Sequence, residues 1–400
     1  MRVKIFFSES LHYGLAAASR VMSYAKGLSE NDCEVEIIMP YTFVKDYIYP
    51  FSQAGYFNEV RYSYLEFSSK NPFSKYPKGI SHLIAYYKTN LGHLKLVLDS
   101  IFKRNDYDVI FVYKSSTFFT WVLFLINYNK LRASELCEIP YHDQKRHKKK
   151  INRRIREIFL FPLFDVVIAI SKNLDYYASQ HIRRDAAVLR VPILYQITQL
   201  ELKKYKPEIP YFVHSGSLSE SKDGVLSFLK AFGMAIQETK IPFHFYFTGY
   251  LDSSPDRRQI LQVIEEYHLK DKVEFKGFLS KVDLLRLQEG ACAAIINKDN
   301  NEMNFYNFPT KLAEYMFNEI AVISSRVGEL SDFLTDKEDV LYFEPNDING
   351  LKEAIVLIMQ DQALRTRLAM NGRITAEQNF DHHIQGKRLY NFFSLRLKMK

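Results

Sequence analysis

The stretch YFVHSGSLSESKDGVLSFLKAF, residues 211–232, decides how the chain folds. Tyr211 to His214 have buried-strand character, Gly216 makes a turn, and a run of helical spacing begins at Gly224. Strand, glycine turn and helix in that order are half of a βαβ unit, the building block of a parallel sheet. The alternation continues with FHFYFTGYL (243–251) as a strand, DRRQILQVIEEYHL (256–269) as a helix and KVEFKGFLS (272–280) as a strand. KVDLLRLQEG (281–290) reads as a helix, ACAAIIN (291–297) as a strand, and NFPTKLAEYMFN (307–318) as a loop entering a helix. IAVISS (320–325) is another strand, with VLYFEP (340–345) following.

The N-terminal half has the same grammar. VKIFFS (3–8) is a strand, ESLHYG (9–14) a turn, LAAASRVMSYAKGL (15–28) a helix, and CEVEIIMP (33–40) a strand closed by Pro40. Further strands are expected at YDVIFVY (107–113), ASELCEI (133–139) and FDVVIAIS (164–171). Their continuous apolar character suits strands covered on both faces. The proline-flanked, lysine-rich stretch 191–210 reads as an interdomain connection. At 400 residues, two cores are the natural expectation. Two consecutive doubly wound halves imply a cleft at the carboxyl ends of the strands.

Composition narrows the function classes. Three scattered cysteines, with no CxxC and no His cluster at ligand spacing, argue against a disulfide framework or a metal site. No signal-peptide pattern is read. The longest apolar run, 118–126, is far shorter than the roughly 20 residues that span a bilayer. The expected location is cytoplasmic, with peripheral attachment at the inner face of the plasma membrane. The net charge is +8, and the basic excess lies in the first 200 residues, where 28 Lys and Arg against 18 Asp and Glu give +10. Within it, residues 144–156 carry eight Lys or Arg and no acid, with Ile151, Ile155, Ile158 and Phe159 on one helical face. A basic helix over 144–159 with an apolar stripe is an anchor for anionic lipid. Nucleic acid is not an expected partner, because no base-reading motif accompanies the run.

Two stretches point to a nucleotide. In 214–224, Gly216 frees the backbone to approach a ligand, Lys222 offers a point charge, and the helix from Gly224 presents unpaired N–H groups. In NFPTKLAEYM (307–316), Pro309 suits a first helical position, leaving the N–H groups of Thr310 and Lys311 facing outward. Glu314, one turn further, would repel a phosphate but would accept hydrogen bonds from a neutral diol such as a ribose.

At this point the chain resembles the family 4 retaining glycosyltransferases, enzymes of the GT-B fold. GSLSESKDGVLSFLKAF, FYFTGYL through VEFKGFLSKVDLLRL, NFPTKLAEYMFNEIAVISS, and the tail RTRLAMNGRITAEQNFDHHIQGKRLYNFF carry the resemblance in family order. It implies an α/β protein with two Rossmann-like doubly wound domains facing across a deep cleft. These would be an acceptor- and membrane-side domain over 1–197 and a nucleotide-sugar domain over 198–383, with a helix over about 384–400 packed back on the first. It implies transfer of a sugar from a nucleotide diphosphate sugar, UDP- or GDP-linked, to a glycan or lipid-linked acceptor in cell-surface polysaccharide synthesis.

Carried over, Lys222 is the diphosphate-binding lysine and Glu314 the ribose carboxylate. Phe278 and Leu279 fall beside the nucleobase, and Gly14 in the loop approaching the diphosphate from the other domain. Ser217 stands where the family often has arginine, and Tyr306 where it often has a first glutamate. Lys298 and Lys311 are candidate replacement charges, and Glu138 and His142 candidates to meet the acceptor or the sugar. With fixed cations stabilising the leaving group, no metal and no other cofactor is expected. Two readings compete: a nucleotide-sugar epimerase of the same fold, which would need acid/base carboxylates gathered in the cleft, and a catalytically degenerate binding protein, motivated by Tyr306 and Ser217.

Overall fold

The computed structural model describes residues 1–9, 11, 16–43, 52–68, 78–102, 106–113, 116–140, 146–196 and 207–400. The chain forms two compact units, Met1–Gln196 with Asp381–Lys400, and Ile197–Phe380.

The first unit contains β1 (Arg2–Phe7), α1 (Ala16–Ser29), β2 (Glu34–Phe43), β3 (Ala54–Phe57), β4 (Val60–Ser68) and α2 (Lys78–Phe102). It continues with β5 (Val109–Tyr113), α3 (Thr117–Ile126), β6 (Leu131–Leu136), α4 (Arg146–Phe159), β7 (Val166–Ala169), α5 (Lys172–Ser179) and β8 (Ala187–Arg190). The sheet order is β3-β4-β2-β1-β5-β6-β7-β8, parallel except for the β3–β4 pair. Every residue of β5 and β7 is buried, as strands covered by helices on both faces require. The hairpin β3–β4, α2 and β8 are elements that the sequence reading did not place.

Strand β2 runs through Pro40 rather than ending there. The β1 pairing stops at Phe6 with Ile38, so Pro40 lies beyond the β1 ladder and its missing N–H costs nothing on that side. Helix α2 crosses close above it, with Gly92 at the crossing: a Cβ there would lie 1.9 Å from the Pro40 carbonyl oxygen. Val191, Ile193 and Leu194, the start of the expected connection, are buried in this unit.

The second unit opens with β9 (Tyr211–His214), α6 (Glu220–Asp223), α7 (Val225–Thr239), β10 (His244–Phe247), α8 (Arg257–Glu266), β11 (Val273–Phe275) and α9 (Lys281–Glu289). It closes with β12 (Ala293–Ile296), α10 (Glu302–Tyr306), α11 (Lys311–Phe317), β13 (Ala321–Ser325), β14 (Leu341–Phe343), α12 (Ile348–Gln360) and α13 (Gln362–Asn379). Its six strands are all parallel, in the order β11-β10-β9-β12-β13-β14. Phe212, Phe228, Phe232, Phe245 and Phe247 stack through its core. Helix α14 (His382–Lys398) then returns to the first unit and packs on α1.

Candidate active site

In the second sheet the strand order reverses between β9 and β12. Open α/β sheets bind ligands outside the carboxyl ends of the strands at such a point. Strand β9 ends at His214 and passes into Gly216; β12 ends at Ile296 and passes into Asn297 and Lys298. A Cβ on Gly216 would lie 2.9 Å from His214 Nε2 and 3.0 Å from Asp223 Oδ2, so the turn is packed too tightly for a side chain. The Ser217 N–H donates to Asp223 Oδ2 at 2.8 Å. Lys298 Nζ donates to Asp223 Oδ1 and, at 2.6 Å, to the Lys222 carbonyl. Burial pushes the Asp223 carboxyl up, but His214, Lys298 and the Ser217 N–H outweigh it and hold its pKa below the ordinary value. His214 is buried with Nε2 unbonded, and burial lowers its pKa.

Lys222 lies on the four-residue α6, exposed, and its ammonium makes no ion pair among the described residues. Gly224 joins α6 to α7 at φ +63°, a left-handed conformation that ends one helix and starts the next. The expected unpaired N–H groups at the start of α7 are not unpaired. Glu220 Oε2 accepts from the N–H of Leu226 at 2.6 Å and of Ser227 at 3.4 Å, and the Gly224 N–H closes α6 on the Glu220 carbonyl. A carboxylate already fills the helix start because orphan donors there seek a local acceptor.

Helix α11 begins at Lys311, with Thr310 as its cap residue, so Pro309 stands just outside the helix instead of opening it. The Leu312 N–H turns back to the Pro309 carbonyl at 3.1 Å, tightening the entry. Pro309 is half-buried and Thr310 exposed. Glu314 accepts from Lys311 Nζ at 2.8 Å on one oxygen and from Gln288 Nε2 at 2.7 Å on the other. Lys311 and Lys298 are therefore both ion-paired, to Glu314 and Asp223, rather than standing as spare positive charge. Gln288, fully buried, also reaches Ser215 Oγ at 3.4 Å and accepts from Asn318 at 2.8 Å, while Tyr315 Oη accepts the Ser215 N–H at 2.9 Å. Ser215 thus ties the Gly216 turn to the helix that carries Glu314. Tyr306, on α10, packs edge-on against Phe305.

The loops after β10 and β11 complete the group. Gly249 and Gly277 form an isolated bridge at φ +98° and +67°, the Gly249 N–H donating to the Gly277 carbonyl at 2.7 Å. Gly249 also abuts Gly216: a Cβ on it would lie 3.6 Å from the Gly216 carbonyl oxygen. Phe278, 68% exposed, stacks with Tyr250, 60% exposed, at 6.3 Å between ring centroids, and the half-buried Leu279 follows. Two exposed aromatic rings at strand ends form a platform on which a flat heterocycle can stack. Tyr250, Gln288, His214 and Asp223 were not singled out from sequence. Nothing in their spacing marks them, since each is brought in by the strand order.

In the first unit, Glu138 follows β6 and is half-buried. Gly14 and His142 lie outside the described residues. On α4, Lys148, Lys150 and Arg154 are exposed, as are Ile151, Ile155, Ile158 and Phe159. Among the described residues no helix is long and apolar enough to cross a membrane.

Residues 199–375 match the family model described as glycosyl transferases group 1. No curated protein matches the chain by sequence. The fold is similar to that of sucrose-phosphate synthase (tll1590) from Thermosynechococcus elongatus, with a TM-score of 0.70, 16% identity and 100% of both chains covered. It is similar to Anabaena Alr3699/HepE in complex with UDP and glucose, with a TM-score of 0.69, 16% identity, and 98% of this chain and 99% of that one covered. It is also similar to a glycosyltransferase from Rickettsia africae ESF-5, with a TM-score of 0.70, 16% identity, and 100% and 99% covered. The fold is GT-B, and the residues that match the family model lie within the second unit.

Proposed function

We propose that the protein is a retaining glycosyltransferase that moves a sugar from a UDP-sugar to a glycan or lipid-linked acceptor in cell-surface polysaccharide synthesis. The observation that carries the reading is the Glu314 carboxylate, anchored through Gln288 to the Gly216 turn at the strand-order reversal. A ribose diol would donate to Glu314, the base would stack on Tyr250 and Phe278, and the exposed Lys222 ammonium would face the diphosphate, beside the N–H groups of Thr310 and Lys311. The HepE structure, which contains UDP and glucose, favours uridine as the base.

The chemistry follows from the leaving group. The acceptor oxygen bonds to the anomeric carbon on the face from which the diphosphate departs. The C–O bond to the diphosphate breaks, and the acceptor proton passes to the departing phosphate oxygen. Lys222 lowers the barrier by stabilising the charge that develops there. Glu138 and His142 are the first-unit residues assigned to acceptor or sugar. The exposed basic and apolar residues of α4 support attachment to an anionic membrane, where a lipid-linked acceptor would be presented.

A thermal-shift screen with UDP, GDP, ADP, CMP and dTDP tests the donor assignment. At a hundredfold excess over Kd a ligand adds about 2.7 kcal/mol to the folded state. UDP is expected to raise Tm by roughly 5–10 °C, at about 2–4 °C per kcal/mol for a domain of this size. A screen in which no nucleotide raises Tm refutes the assignment.

A further inference from the structure

Helices α1 and α14 meet backbone to backbone. A Cβ on Gly27 would lie 2.4 Å from the His382 carbonyl oxygen, and one on Gly386 would lie 2.4 Å from the Gly27 carbonyl carbon. This crossing, possible only with glycine on both helices, sets Glu30 against the first turn of α14. Glu30 Oε2 lies 2.6 Å from His383 Nδ1 and 3.5 Å from His382 Nε2. Candidate ligand atoms of the three residues all lie within 4.8 Å of one another. We propose that Glu30, His382 and His383 form a site for a divalent transition-metal ion, with zinc the fitting class: two imidazoles and one carboxylate are a borderline donor set.

Three features support a metal over a simple ion pair. First, His382 is 4% exposed, and its Nδ1 has no hydrogen-bond partner while facing Asp381 Oδ1 at 3.5 Å. A ligating histidine characteristically directs its second ring nitrogen at a carboxylate, which orients the ring and strengthens the ligand. Second, the charges leave room for a dication. Lys26 Nζ occupies the other Glu30 oxygen at 3.4 Å and also pairs with Glu59. Glu30, Glu59 and Asp381 against Lys26 leave two negative charges around two neutral imidazoles. Third, the spacing is near that of a bound set. Ligands about 2.0–2.1 Å from a tetrahedral zinc sit about 3.3 Å apart. The His382–Glu30 pair already matches, and the His383 ring, 61% exposed, is free to withdraw the remaining distance.

The ion would brace a particular joint. The His382 N–H donates to the Tyr195 carbonyl at 3.3 Å, and Tyr195 bridges Asp381. Chain leaving the first unit after Gln196 and chain re-entering it at Asp381 are thus fastened together beside the metal ligands.

Chelator-stripped full-length protein titrated with Zn²⁺ by calorimetry, and with Co²⁺ by visible absorption, tests the site. One ion per chain is expected, with a rise in Tm. His383→Ala and Glu30→Gln are expected to weaken binding at least ~10-fold and to abolish the Tm rise. His383 and Glu30 are both exposed, so both variants are expected to keep the fold, which circular dichroism checks. Absence of saturable Zn²⁺ uptake by the wild type overturns the proposal. So does uptake unchanged in both variants, which would assign the metal to other residues such as the cysteines.

Discussion

Glu314→Gln separates a ribose-holding carboxylate from a merely structural one. In the free protein, the Glu314 oxygens accept from Gln288 at 2.7 Å and Lys311 at 2.8 Å. The amide keeps one acceptor, which stays on the fully buried Gln288, while Lys311, 31% exposed, turns to solvent. What is lost is one part-exposed pair three residues apart on a helix, worth less than about 1 kcal/mol. The effect on a bound ribose is larger. Hydrogen bonds to a charged group contribute about 1.5–3 kcal/mol each, against about 0.5–1.5 for a neutral acceptor, and only one acceptor oxygen remains. A net loss of about 2–3 kcal/mol raises the UDP Kd roughly 30- to 150-fold. Isothermal titration with UDP reads this directly, and urea melts verify that stability has moved little. A UDP Kd within twofold of wild type, at unchanged stability, would refute the ribose assignment.

Gly224→Ala tests the left-handed joint between α6 and α7. A Cβ there would fall 2.1 Å from Asn297 Nδ2 and 3.2 Å from Asn297 Cβ, at φ +63°. The backbone cost of about 1–2 kcal/mol and overpacking of about 1–3 kcal/mol sum to roughly 2–5 kcal/mol in urea unfolding, and a loss below about 0.5 kcal/mol would contradict it. Acidification should destabilise the protein. Burial lowers the pKa of His93 and His214, so the unfolded chain binds more protons once pH falls below about 6.5. Their stabilisation is complete above that value and is lost as pH falls toward the lowered folded pKa, with a slope of up to about 1.4 kcal/mol per pH unit for each. The double variant His93→Gln/His214→Gln should flatten the pH 5–7 stability profile, and an unaltered slope would show that these rings titrate alike in the folded and unfolded chains. On vesicles, Lys148→Glu with Arg154→Glu should weaken sedimentation on anionic lipid more than ~10-fold, each basic residue contributing about 1 kcal/mol. Equal wild-type binding to neutral and anionic vesicles would remove the membrane assignment.

The parts of the fold that announce themselves in sequence are those decided by local pattern. Continuous apolar runs such as VIFVY and AVISS become fully buried parallel strands, because a strand covered on both faces has no reason to alternate. The β3–β4 hairpin escapes such reading for a physical reason. Its two-residue turn is Asn58–Glu59, at φ +47° and +66°, a left-handed pair that normally advertises itself as Asn-Gly. Glutamate in that conformation is uncommon, and only its place at the sheet edge and its contact with Lys26 make sense of it. Likewise Glu30, His382 and His383 sit at opposite ends of the chain, so no spacing rule could pair them.

The candidate site divides along the same line. Gly216, Lys222, Phe278 and Glu314 are legible as residue types at strand ends and helix starts, and the strand order does bring their segments together in the second unit. What spacing could not reveal is that the backbone donors are already engaged. Asp223 takes the Ser217 N–H, and Glu220 takes two at the start of α7. Those contacts exist because Gly224, in its left-handed conformation, folds α6 back beside the helix it precedes. On the proposed function, an incoming diphosphate would therefore meet no vacant nest of N–H groups at that turn. It would meet acidic residues that must keep their own partners, with Lys298 bound to Asp223 and Lys311 to Glu314. Lys222 is the cation of the turn whose charge no carboxylate offsets among the described residues. On the proposed function, attraction for that anion would rest on this ammonium more than on the N–H groups of the turn, so Lys222→Ala is expected to weaken UDP binding.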